Sequence, residues 1–146
     1  MTSGALEAPW ERQNYLAITV AAIACFLLET LWYSFFLDTW LKGLGHSRAW
    51  LHSTGVSLTL QCITALLAEG LIAGGISRVT KMTGAMTAVR GMRVGAGVWA
   101  GFVVATWAAE YAFEVRPFSL LAVNLGFWLV AMVMMGAIVG GWKKKA

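Results

Sequence analysis

Residues 14–37 read NYLAITVAAIACFLLETLWYSFFL, an apolar run broken near its end by a single carboxylate, Glu29. A helix rises about 1.5 Å per residue, so about 20 such residues cross the hydrocarbon of a bilayer. Three further blocks have the same character. They run from about Leu51 to Ile76, Val94 to Phe113 and Phe118 to Trp142. Lipid offers no partners for open backbone groups, so each block is expected to be helical. The chain of 146 residues is 59% hydrophobic and 12% charged, too little charge to cover a soluble domain of this size. The fold class is therefore all-α: a single four-helix transmembrane domain over residues 1–146. The first block lacks a basic leading segment and is too long for a signal peptide, so it is expected to be retained as a helix.

The links between blocks are DTWLKGLGHSRAW (38–50), an amphipathic loop, and SRVTKMTGAMTAVRGMR (77–93), basic and rich in Thr and Gly. The third link is the tight turn EVRP (114–117), whose Pro117 suits the start of the fourth helix. Arg12, Arg78, Lys81, Arg90, Arg93, Lys143, Lys144 and Lys145 fall on one side of a four-span chain. Lys42, Arg48 and Arg116 fall on the other. Eight basic residues against three places both termini in the cytoplasm. The net charge of +4 thus reports topology and gives no nucleic-acid surface. Trp10, Trp40, Trp50 and Trp142 are spaced as interfacial anchors.

Ionisable groups are costly in a bilayer and mark candidate sites. Glu29, Glu110 and Asn124 are expected in the outer half, and Glu69 in the inner half. Glu29, Trp32, Tyr33 and Phe36 share one helix face, as do Trp99, Val103, Thr106, Trp107 and Glu110 on the third helix. If these faces meet, Glu29, Trp32, Tyr33, Trp107, Glu110 and Asn124 line an outer-half pocket for a small apolar, amphiphilic or cationic ligand. Proton handling by the acids is the runner-up. Simpler readings stand beside it. Glu110 snorkels or pairs with Arg116, Glu69 pairs with Arg93 or Arg90, and Glu29 is hydrogen-bonded to Gln61, Tyr33 or Asn124.

Other chemistries find little support. Cys25 and Cys62 lie inside apolar blocks and read as small buried hydrophobes. His46 and His52 lie in or beside the 38–50 loop, which removes a bis-histidine haem. A metal site from His46, His52 and Glu110 lacks a complete ligand set. No nucleophile–base pair and no phosphate loop is visible, so no cofactor and no enzymatic role is expected. GxxxG spacings at Gly70/Gly74, Gly97/Gly101 and Gly136/Gly140 favour close helix contacts, within the chain or in self-association, in addition to contact with the lipid bilayer. GLIAGGISR (70–78) and GAIVGGWKK (136–144) also match at three glycines, as a helix-pair repeat or as convergent helix ends.

The segment 14–45 carries Asn14, the triplet Trp32-Tyr33-Ser34, Trp40 and Lys42-Gly43-Leu44-Gly45, and the last helix ends in MGAIVGGW (135–142). In these features the chain resembles a family of small bacterial four-span proteins, domain of unknown function 1761. It departs at Glu29, where that family more often has a small residue, and at Phe35, where it often has Pro. The resemblance implies four helices in a bacterial inner membrane and supplies no reaction. Two roles remain: a binding or transport-related protein with a pocket, or an accessory subunit of a larger membrane complex.

Overall fold

The computed structural model describes residues 12–55 and 57–142. Among them every regular element is a helix. It forms α1 (Tyr15–Phe35), α2 (Leu37–Leu44), α3 (Trp50–Ser53), α4 (Leu58–Met82), α5 (Ala88–Val98), a π-helical segment (Trp99–Val104), α6 (Ala105–Phe113) and α7 (Phe118–Gly141). Four helices are long and apolar enough to cross a membrane: α1, α4, the continuous rod Ala88–Phe113, and α7. The protein is thus a multi-pass membrane protein of the all-α class. Trp10 and Lys143 to Lys145 lie outside the described residues.

Each long helix starts where a side chain or a proline relieves the first turn. Asn14 Oδ1 accepts from the Ala17 amide at 3.3 Å, Ser57 Oγ from Leu60 at 3.4 Å and Thr87 Oγ1 from Arg90 at 3.3 Å. Pro117 precedes α7. These starts move the second span later than the hydropathy implies and the third earlier. The expected 77–93 linker shrinks accordingly. α4 continues to Met82 because its hydroxyls fold back on the helix: Thr80 Oγ1 donates to Ile76 O at 2.7 Å and Thr83 Oγ1 to Val79 O at 2.9 Å. It stops at Gly84, whose φ of +65° closes a left-handed cap with Ala85 N–H donating to Thr80 O at 2.8 Å. Hydropathy reports where a helix leaves oil, and the cap reports where it ends. Likewise, the expected 38–50 loop contains α2, and the Arg48 guanidinium clips onto Asp38 through two bonds of 2.8 and 2.9 Å.

α7 is the central pillar and touches every other long helix; α1 does not touch the third span. Its closest partner is α5. A Cβ at Gly91 would stand 2.0 Å from the Gly136 carbonyl, and one at Gly95 2.1 Å from the Met132 carbonyl. The backbones therefore meet with no side chain between them, as small-residue stripes allow in lipid. The glycines that pack here are Gly91 against Gly136 and Gly140, and Gly95 against the Met132 backbone. Around Gly97 and Gly101, expected to do this, a Cβ would meet open space, as it would at Gly70 and Gly74. Gly136 and Gly140 are thus taken up inside the chain and are not available for self-association.

α1 lies on α4 and α7 through small residues, with Ala17, Ala21 and Cys25 packed into one core with Ala73, Ile76, Phe127, Ala131 and Met135. Thr30 and Ser34 on the exposed side of α1 bond to their own helix, at 3.0 and 2.6 Å, which meets the demand that no polar group be stranded in lipid. α4 touches α5 but neither the π-helical segment nor α6. The two spans part toward the end of the bundle that carries α2, and Leu58, Leu60, Ile63, Leu66 and Leu67 are left exposed there.

Two outcomes are expected. Gly91→Ala lowers unfolding stability in micelles by about 1–3 kcal/mol through overpacking, whereas Gly97→Ala leaves it unchanged or raises it by up to about 1 kcal/mol. Arg48 holds the exposed Asp38 carboxyl below its usual range by hydrogen bonding. The lowered value means that this clip contributes above the free-carboxylate range and is lost as pH falls through the folded value. Melting curves over acid pH should show a small dependence that Arg48→Ala removes.

Candidate functional site

A buried amide organises the α2 end of the bundle. Asn124 on α7 is 5% exposed. Its Oδ1 accepts from the Tyr33 hydroxyl of α1 at 2.7 Å, and its Nδ2 donates to the Tyr111 hydroxyl of α6 at 2.6 Å. Three spans are thus joined by one side chain. Two indoles reinforce the joint. Trp32 Nε1 donates to Val123 O at 3.1 Å, and Trp99 Nε1 to Leu125 O at 2.9 Å. Gly126 leaves the space that the Trp32 ring fills, since a Cβ there would come within 3.1 Å of it.

The aromatic rings close around this amide. Tyr33 packs on Phe127 at 5.4 Å and edge-on to Trp40 at 5.8 Å, and Trp107 stacks on Tyr111 at 5.7 Å. Beside the amide opens a cleft of about 190 Å³, lined by Leu44, Trp107, Glu110, Tyr111, Glu114, Arg116 and Asn124. Arg116 pairs with Glu114, and its guanidinium lies 5.7 Å from the centre of the Tyr111 ring. Glu110 is exposed, and Arg116 does not pair with it.

The six candidate residues therefore divide. Trp107, Glu110 and Asn124 line the cleft. Tyr33 is bonded to it from behind, and Trp32 packs against α7. Glu29 lies elsewhere: it faces α4, half-buried, within electrostatic reach of Glu69 and of the Cys25 thiol. Its proposed bonds to Gln61, Tyr33 or Asn124 are not formed. Gln61 is exposed, and Tyr33 and Asn124 bond to each other. The expected Glu69–Arg93 ion pair is also absent. Arg93 is exposed, while Glu69 is 2% exposed and neither of its oxygens accepts a well-formed hydrogen bond. The cause is the early start of α5, which keeps its glycine stripe on α7 and sends its arginines outward.

Tyr111 is the residue that helix-face counting misses. Gly91, Gly95, Trp99, Val103, Trp107 and Tyr111 follow in steps of four. In a straight α-helix each such step drifts by about 40°, so Gly91 and Tyr111 would not face the same neighbour. The π-helical segment between Trp99 and Val104 has wider turns and takes back part of that drift. A repeat of four carrying Gly and aromatics is the signal that could have found it.

Removing the amide should be costlier than removing either ring hydroxyl. Asn124→Leu strands two hydroxyls, at about 1–3 kcal/mol each, whereas Tyr33→Phe strands one group, the Asn124 Oδ1, at about 1–3 kcal/mol. Chemical unfolding of both variants in micelles checks the order.

No curated protein and no solved structure matches the chain. The model of one family, described as a protein of unknown function (DUF1761), matches residues 16–140. With that match spanning most of its length, and with the four-span bundle that carries it now described, the chain belongs to the DUF1761 family.

Proposed function

We propose that the protein binds a small cationic or amphiphilic molecule in the cleft beside Asn124, from the extracytoplasmic side of a bacterial inner membrane, with both termini in the cytoplasm. One observation carries this reading. The cleft has acidic groups at its mouth, Glu110 and Glu114, and a stacked Trp107–Tyr111 pair as a wall, and the chain rests a cation of its own, Arg116, against that wall. Aromatic faces attract cations, most strongly where water is excluded. Arg116 answers Glu114 and leaves Glu110 as a second carboxylate at the same mouth. A headgroup would sit between Glu110 and the rings, and any attached chain would run along the exposed apolar sides of the spans. On this reading the protein is a binder or carrier and performs no reaction.

The alternative is an accessory subunit of a larger membrane complex. It is favoured by the seam between α4 and the third span. That seam is an apolar groove lined by Ile72, Gly75 and Val79 on one side and Val98 and Phe102 on the other.

Benzyltrimethylammonium is a suitable probe. It should bind the purified protein with a change in tryptophan fluorescence, and Glu110→Gln should weaken binding about tenfold, the effect of about 1.4 kcal/mol. Equal binding by both proteins overturns the reading. A stable partner recovered by cross-linking in native membranes, with no binding of the probe, favours the subunit.

A further inference from the structure

Glu69 stands about 17 Å along α4 from Leu58, in the middle of the span. It is 2% exposed, and neither carboxyl oxygen accepts a well-formed hydrogen bond; the Cys25 thiol alone stands close enough to act as a weak donor. An ionised carboxylate in that position would be uncompensated, a state that proteins relieve by neutralising the group. Among the described residues no cation is placed to do so. From α1, Cys25 lies beside it and Glu29 is within electrostatic reach. Tyr33, one turn beyond Glu29, has its hydroxyl committed to Asn124. α7 carries no titratable side chain, and on α5 both Arg90 and Arg93 are exposed. Among the described residues no group of three or more metal-ligating side chains is placed to hold an ion. The ligand that fits a buried carboxyl whose polar neighbours are a thiol and a second acid is a proton.

We propose that Glu69 and Glu29 form a proton-holding pair at mid-depth in the bundle, Glu69 keeping the proton and Glu29 delivering it. Glu29 is half-buried and lies nearer the α2 end, where α4 parts from the third span. Cys25, Glu29 and Tyr33 follow one another on α1 at steps of about 6 Å. A proton taken by Glu29 from water passes to Glu69. One O–H bond breaks at Glu29, one forms at Glu69, and the charge moves the opposite way. The Cys25 S–H is a weak donor that faces Glu69 while it is ionised. The pair is separate from the cleft, so a failure of benzyltrimethylammonium to bind leaves this proposal standing.

Infrared spectroscopy of the full chain in phosphatidylcholine vesicles tests it. The wild-type protein should show a protonated-carboxyl C=O band that Glu69→Gln removes, and the band should shift on transfer to deuterated water. Glu29→Gln should keep the band and slow the shift about tenfold or more. Either of two results overturns the proposal: no band that depends on Glu69, or an exchange rate indifferent to Glu29. Gln has the shape of the neutral acid, so the Glu69 variant is expected to fold. Should it fail, carbon-13 resonances of labelled Glu carboxyls in the wild type decide the matter. A neutral-acid shift at a buried Glu supports the pair, and carboxylate shifts throughout overturn it.

Discussion

The backbone contact between Gly91 and Gly136 is the constraint on which the bundle depends. In lipid there is no hydrophobic gain in bringing two apolar helices together, because acyl chains are as apolar as leucine. Contact must come from close packing and from hydrogen bonds. α5 and α7 meet the first requirement with glycines on both sides, and a side chain at any of four positions would collide with a carbonyl or the facing backbone. α1 and α4 meet it with alanines and Cys25. The rest of the architecture follows from the position this gives α7, between the other spans.

Hydrogen bonding supplies the second requirement, at the opposite end. There the small-residue stripe has run out, and bulky rings would hold the helices apart. Asn124, Tyr33 and Tyr111 replace direct backbone contact with side-chain bonds, and two tryptophans donate to α7 carbonyls. Such bonds have modest net worth in membranes, but unmade they would leave buried groups unsatisfied. The cleft exists because rings, rather than glycines, separate α6 from α7.

The crossings were legible in the sequence because hydropathy over 20 residues measures the property that a bilayer selects. Asn124, Tyr33 and Trp107 were legible as an associated set, because a polar residue in an apolar helix must find company. Three features were not. The glycine stripe at Gly91 and Gly95 lies among arginines, where a hydropathy window sees a loop although Thr87 has already capped a helix. The partner of Glu29 was hidden because a carboxylate is expected to seek a cation or an amide, whereas the neighbours here are another acid and a thiol. Tyr111 was obscured by the π-helical segment, since counting in turns of 3.6 assumes a regular helix.

The pairing of glycine contacts at one end with a single bridging amide at the other makes the molecule unequally stiff. Interlocked backbone cannot yield without losing its packing along the whole of α5. The far joint is made of separate side-chain bonds, and the wider turns of the π-helical segment lie between it and the glycine contact. The bundle is therefore clamped where Gly91 meets Gly136 and merely pinned where Asn124 reaches Tyr111.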